Sequence, residues 1–523
     1  NTTGTNNVAV GENALANNTT ASENTAVGQN ALLTSTTAAA NIAIGHDAMR
    51  LTTTGSNNTA VGYDALRSNT TGANNVAIGI NAINANTTGS YQVGIGRNAL
   101  LNSDGVDKNL AIGYNTLQAV TTGNNNIGIG YVAADAITTG SANTCIGSSA
   151  GSAITTASNN TIVGSDAGKN ATTGLVDSVL IGFQAGSSGT QGAYTVGVGY
   201  NALYNNTGNN NTGLGYNALF ANTSGANNTA VGLQALDANT TASDNTAIGL
   251  NAMTTNTVGT RNTSVGSGSL ASVNASDNVA VGYNCLDTCS TGSNNTAVGT
   301  EAMDACTTGS ANVAVGYRTL DALTTASNNT CVGQAAGGAI TTGANNTIVG
   351  KAAGSSLTTG GNCILIGKEA NVSGSNNDEL VIGNAITGIG NNTGLMYPPG
   401  GGSMYQATNA TTWAQTSDRR IKKNIVDNNN GLTKLQDIQI RNFEYRTEEE
   451  VTELPSHLAV KQEGIQLGVI AQEIEKVLPE VVITESSGVK TVNTDNLIWY
   501  LINSVKELST QVDELKAKLN KGE

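Results

Sequence analysis

The chain has little of what enzymes and nucleic-acid-binding proteins work with. Charged residues make up 11% of its 523 residues, against about a quarter in an ordinary soluble domain. The charge present leans acidic, 37 Asp and Glu against 23 Lys and Arg, so there is no basic face for a phosphate backbone and nucleic acid is excluded as a partner. Of the two histidines only His46 precedes residue 417, and no pair of carboxylates recurs there, which argues against a glycan hydrolase in residues 1–416. Six cysteines (145, 285, 289, 306, 331 and 363) form no C-x-x-C pair and keep no histidine company, so neither a zinc site nor any other cofactor is expected. No run of 18 or more apolar residues offers a membrane span, and no signal-peptide pattern opens the chain. Asn1 already lies inside a repeat, so an upstream region attaching the chain to a virion or cell envelope is expected.

What the chain does have is a clock. A glycine closing an Asn-x-Ala-(Val/Ile)-Gly run recurs every 17 residues from Gly11 to Gly164, then drifts by at most one residue per step as far as Gly383, giving 23 units. A fixed period this short means a solenoid. Each unit, as in Asn58 to Gly72 (NTAVGYDALRSNTTG), holds two short apolar pieces separated by turn residues, and neither piece is long enough for a helix. The expectation is a mainly β protein, a parallel β-solenoid of two very short strands and two turns per coil, with the Val/Ile and the Ala-Leu pair inside. At the usual strand spacing, 23 coils make a shaft roughly 110 Å long. Three or four small apolar side chains per coil bury too little to offset the ordering of the rest, and packing three chains about one axis recovers more, so a homotrimer is expected.

Asn and Thr fill the remaining positions and, in register, are expected to form ladders from coil to coil. Seven tyrosines (63, 114, 131, 200, 216, 283 and 317) follow the marker glycine; they cover a turn or offer aromatic faces to sugars, the first reading being preferred. Cys145 and Cys331 stand where Ala usually does and read as core fillers. Cys289 and Cys306 sit at the same place on adjacent coils, within disulfide reach.

The repeat fades after Gly383, and after Thr416 the composition becomes that of an ordinary α+β domain. There stand Ser417-Asp418-Arg419-Arg420-Ile421-Lys422-Lys423-Asn424-Ile425 and, later, Gly468-Val469-Ile470-Ala471-Gln472-Glu473-Ile474 and Leu478-Pro479. Ile470–Leu478 reads as a helix halted by proline, and Val481–Val492 as a hairpin. From Ile498 an apolar seam runs through Leu501, Val505, Leu508, Val512, Leu515 and Leu519 at heptad spacing, which requires a partner helix. This constellation resembles the C-terminal intramolecular chaperone domain of phage tail spikes and endosialidases, a self-cleaving serine peptidase family. The resemblance covers residues 417–523. It implies a domain that trimerises, templates folding of the fibre upstream and cuts itself off just before the motif serine. It further implies a Ser-Lys dyad of Ser417 and Lys422, with Thr416-Ser417 as the scissile bond. A lysine can act as the base if burial lowers its pKa, and five residues of separation let the two meet only across a turn or between chains.

The shaft is also similar to the head repeats of trimeric autotransporter adhesins. Together these readings divide the chain into a shaft (1–383), a tip or linker (384–416) and a chaperone (417–523). A phage tail fibre or spike for attachment to a host-surface glycan or protein is the leading function, and a bacterial surface trimeric adhesin the alternative. An ice-binding face is disfavoured because adjacent Thr-Thr pairs point to opposite sides of a strand. The shaft carries no expected activity; a single-turnover autoprotease in the last domain is the one enzymatic prospect. Tyr397, Tyr405 and Trp413, in a stretch left at the tip once the chaperone is released, are the receptor-binding candidates.

Overall fold

The computed structural model describes the chain except residues 173, 375, 398–403, 407–413, 416–418, 420–421, 448, 454–461, 485–487, 521 and 523. Two compact units form, Asn1–Thr416 and Ser417–Glu523.

In the first unit, 22 three-residue strands, β1 (Val8–Val10) to β22 (Ile364–Ile366), stack parallel and in register, one per coil. The ladder runs through the last repeat and beyond it. β23 (Glu379–Gly383) and β24 (Thr393–Tyr397) extend it in parallel, and β25 (Met404–Gln406) and β26 (Ala414–Gln415) return antiparallel. This is the expected parallel β-solenoid, with two differences inside the coil.

The first is that only one of the two apolar pieces is a strand. The Ala-Leu piece zigzags through single-residue left-handed steps, with Asn30 at φ 57° and Leu32 at φ 51°, while the Leu32 N–H still bonds the Ala48 carbonyl one coil on at 3.1 Å. The left-handed backbone costs a leucine about 1 kcal/mol and its full burial returns about 2 kcal/mol, so the step survives at most coils. Second, the β-branched residue before the glycine faces outward. Ile44 and Val315 are 39% and 37% exposed, while Ala43 and Ala314, between two outward residues of the same strand, are fully buried. Where a leucine fills the neighbouring column, the coil leaves space there for a methyl group and not for Val.

Core volume is shared among neighbouring columns. Where Leu gives way to glycine at 151, 168, 186, 337 and 354, the inward strand residue of the same coil grows to Cys145, Ile162, Leu180, Cys331 and Ile348. The two columns compete for the same space, since a Cβ on Gly354 would lie 2.7 Å from Ile348 Cδ1 and the isoleucine would have to shift.

Asparagine supplies the polar interior. Asn24, Asn41, Asn58 and Asn75 are buried in one column; each Oδ1 accepts the N–H of the next (Asn41 to Asn24 2.9 Å, Asn58 to Asn41 2.9 Å, Asn75 to Asn58 2.9 Å). Their Nδ2 groups donate to carbonyls 14 residues on, as Asn58 does to Gly72 at 2.9 Å. Asn346 passes this column to Cys363, and one coil later stands Glu379, 1% exposed, its carboxylate accepting the Gly390 N–H at 2.8 Å and the Ser373 N–H at 3.4 Å. Threonines add a second ladder, hydroxyl to the next coil's carbonyl, as from Thr70 to Thr87 at 2.9 Å.

The second unit contains α1 (Leu432–Gln436), an antiparallel pair β27 (Arg441–Phe443) and β28 (Gln466–Gly468), α2 (Ala471–Val477), a hairpin of β29 (Val482–Thr484) and β30 (Lys490–Val492), and the long α3 (Thr494–Asn520). Pro479 ends α2 and opens a 3-10 turn, as the proline predicts. Ile474, Leu478, Val481 and Tyr500 make the small core.

The marker glycine is testable. Gly232 has φ 138°, and a Cβ there would lie 2.3 Å from the Gly249 carbonyl oxygen, whereas Gly374 has nothing within 4 Å. Gly232→Ala is expected to destabilise by about 3 kcal/mol and Gly374→Ala by less than about 0.5 kcal/mol, as read from denaturant melts. Equal effects would show that the close approach of stacked glycines is not what selects them.

Acids stack too. The Asp304 carboxyl is pushed above its usual range by burial first, then by Glu301 and Asp321, against Arg318. A carboxyl raised in the fold favours folding while protonated; that contribution is present below its unfolded pKa and lost as pH rises through the folded one. Asp304→Asn should therefore raise the melting temperature at pH 7 and leave it unchanged at pH 3. A shift of equal size at both would rule out this origin.

Candidate functional site

The motif opening the second unit is described from Lys422 onward and at Arg419. Thr416, Ser417, Asp418, Arg420 and Ile421 lie outside the described residues, as does Trp413. The Lys422 N–H donates to the Arg419 carbonyl at 3.2 Å, and the Lys422 side chain is exposed. Asn424 takes a left-handed conformation, φ 55°.

Downstream, the peptide reaches α3. Asn503 Nδ2 donates to the carbonyls of Asn428 at 2.7 Å and Asn430 at 3.3 Å, and Glu507 Oε2 accepts the Leu432 N–H at 2.9 Å. The second motif spans the end of β28 and the first turn of α2. Its Glu473 forms a bidentate pair with Arg441 at 3.1 and 3.0 Å, which holds the Glu473 carboxyl below its usual range and raises the guanidinium of Arg441. Past Pro479, the Glu480 carboxylate accepts the Tyr500 hydroxyl, a bond that lowers the carboxyl and raises the phenol. Thus the second motif serves the frame of the domain, Arg441 and Tyr500 being partners that spacing alone does not reveal.

On α3 the predicted seam is bare in the single chain: Val505, Leu508, Leu515 and Leu519 are 60%, 50%, 65% and 82% exposed. At its root an apolar groove opens between Leu435, Ile438, Val469, Leu497 and Leu501. No helix among the described residues is long and apolar enough to cross a membrane.

Two of the tip candidates lie on described strands. Tyr397 ends β24 and is 41% exposed, and Tyr405 lies on β25, paired across to Leu395. Along the shaft, four of the tyrosines after the marker glycine stack: Tyr114 on Tyr131 at 5.3 Å, and Tyr200 between Phe183 and Tyr216 at 5.3 and 5.1 Å. Within each stack the facing surfaces cover each other, while rings such as Tyr131 and Tyr283 remain more than half exposed.

Cys289 and Cys306 are buried with their sulfurs 3.8 Å apart, and Cys306 donates to Cys289, which together with burial raises the Cys306 thiol. Burial pushes the core fillers Cys145 and Cys331 up to about 12. His46, Asp47 and Asp64 cluster closely enough to suggest a cation, but Arg50 and Arg67 approach Asp47 to 3.4 and 3.7 Å and already balance the charge.

Compared with known proteins, residues 417–483 match the family described as chaperone of endosialidase. The match begins at the first residue of the second compact unit. No match was found among curated proteins or among solved structures. The chain therefore couples a β-solenoid of 17-residue repeats to a C-terminal chaperone of the endosialidase type.

Proposed function

We propose that this chain is the distal part of a phage tail fibre or spike, a trimeric shaft for attachment to a host surface. In this reading its last domain assists trimer folding and then cuts itself off between Thr416 and Ser417. The observation that carries the reading is the family match beginning at Ser417, directly after a shaft of stacked coils. The same match favours a viral fibre over a bacterial adhesin, for which the repeats alone would serve equally well.

Trimerisation is supported by what the single chain leaves bare. Twenty-two strands at about 4.8 Å give an outward stripe of Thr, Val and Ile about 100 Å long and about 7 Å wide. That is roughly 700 Å², more than the few hundred Å² a monomer commonly exposes in one patch. A second and third copy are the occupants that fit a stripe running the whole length of the shaft, and the seam of α3 makes the same demand at the other end of the chain.

For self-cleavage, Ser417 supplies the attacking hydroxyl and Lys422 takes its proton. The serine oxygen adds to the Thr416 carbonyl carbon, the Thr416-Ser417 C–N bond breaks, and the leaving amine takes up the proton; water then hydrolyses the resulting ester. Lys422 is exposed in one chain. The burial a lysine base needs would come from neighbouring copies, so cleavage waits for assembly. The freed tip, residues 384–416, then presents Tyr397, Tyr405 and Trp413.

Two experiments test this. Purified wild-type chain should split at Thr416-Ser417, whereas Ser417→Ala and Lys422→Ala stay whole by intact mass; an uncut wild type after prolonged incubation removes the autoprotease. Separately, alanine at Tyr397, Tyr405 and Trp413 together should abolish adsorption to host cells without lowering the melting temperature of the trimer. Unchanged adsorption would move the receptor site onto the shaft.

A further inference from the structure

Of the six buried cysteines, two face each other. Three residues past the inward Leu of a coil, or the Met or Gly that replaces it, one interior column recurs from coil to coil. Its buried tenants include Ser35, Ser103, Val120 and Ala171 and, in two successive coils, Cys289 and Cys306. The strands of those two coils pair in parallel with Val279 opposite Thr296, so residues 17 apart lie one strand spacing apart. That spacing, about 4.8 Å, falls within the Cα separation a disulfide spans, about 4.4 to 6.8 Å. The two sulfurs stand 3.8 Å apart, and rotation about the two Cα–Cβ bonds is what remains. The other thiols are directed elsewhere. Cys285 donates to the Ala297 carbonyl and Cys363 to that of Asn376, both at 3.3 Å, while Cys145 and Cys331 sit in the inward strand column.

We propose that Cys289 and Cys306 form an oxidative modification site, a single cross-link between adjacent coils that closes once the shaft has folded. The fold is what selects the pair. In the unfolded chain Cys285, only four residues from Cys289, competes for Cys306 on nearly equal terms, and in the coil it is turned away to Ala297. The S–H of Cys306 points at Cys289, which lowers the Cys289 thiol and raises that of Cys306, so Cys289 is the first sulfur to react. Both sulfurs are buried, and an oxidant as small as hydrogen peroxide reaches them as the coils open locally. The Cys289 sulfur gives up its proton and bonds one peroxide oxygen as the O–O bond breaks; the other oxygen leaves as water with that proton. The Cys306 sulfur then attacks Cys289, the S–O bond breaks, and the departing hydroxide takes the Cys306 proton as a second water. Two electrons leave the thiols and reduce the peroxide. The cross-link closes a loop of 17 residues and so constrains the unfolded chain. It forms only where the coil at Cys306 follows the one at Cys289, which fixes register inside an array of interchangeable repeats.

The test uses the full chain, reduced, freed of reductant, treated with hydrogen peroxide, then denatured and mapped by mass spectrometry. Its free thiols should fall by two from six, with the peptides of Cys289 and Cys306 joined. The oxidised chain should melt about 3 °C above the reduced one and lose that gain when dithiothreitol is added. Serine and alanine already occupy this column at Ser35 and Ala171, so Cys289→Ser and Cys306→Ala fit the coil. Neither variant should show the redox-dependent shift. Cys306→Ala, lacking the second thiol, should stop at a Cys289 sulfenic acid that a cyclic 1,3-diketone traps. All six thiols surviving in the wild type, or a link from Cys306 to Cys285, overturns the proposal. The wild-type map decides this even where a variant fails to fold.

Discussion

Everything in the shaft depends on handing backbone hydrogen bonds from one coil to the next. A strand of three residues closes few ladder bonds, and most of each coil is turn, whose N–H and C=O groups are costly to bury unpaired. The buried asparagine column answers this. Each amide accepts from the coil after it and donates across the interior to a carbonyl 14 residues on, as Asn58 does through Asn75 and Gly72. One side chain thereby ties a strand to the far turn of its own coil and to its successor. The narrow apolar core follows from that arrangement: with asparagine occupying the interior beside the strand, there is space for alanine, one leucine and little else.

Much of this was readable in the residues, and what was not has physical causes. The period and its glycine are visible because stacking forbids a Cβ at that place in every coil. Which side of a three-residue strand faces in is not visible, since Thr-Ala-Val alternates equally well either way. Hydrophobicity points to Val, whereas the width of the coil selects Ala43 and Ala314. The Ala-Leu piece looks like a strand because leucine seldom adopts a left-handed backbone, and only the depth of its burial makes that conformation worthwhile. In the chaperone unit the motif residues announce themselves by order and spacing. Their supports, Arg441 for Glu473, Tyr500 for Glu480, and Asn503 and Glu507 for the peptide after Asn428, lie 20 to 75 residues from what they hold.

The two units ask for partners in different ways. The shaft's outward stripe repeats the same few exposed side chains coil after coil, so it offers many weak, equivalent contacts and no preferred register. The α3 seam is short and its heptad spacing fixes which helix turn meets which. A register error among interchangeable coils has no local penalty, so any element that sets alignment between chains has to come from outside the repeat. The chaperone-type unit, a separate compact body beginning at Ser417, is where the sequence supplies such an element.

Glu379 gives the shaft a length. An array of equivalent coils could in principle accept another array on its end, each exposed amide column serving as a template for the next molecule. At Glu379 the column closes in a carboxylate that accepts the N–H groups of Ser373 and Gly390 and has no hydrogen to pass forward. The polar column therefore ends inside the chain, its last acceptor satisfied by N–H groups of the same coil's turns. The extent of the solenoid is thus set within the sequence, by the number of repeats that precede Glu379.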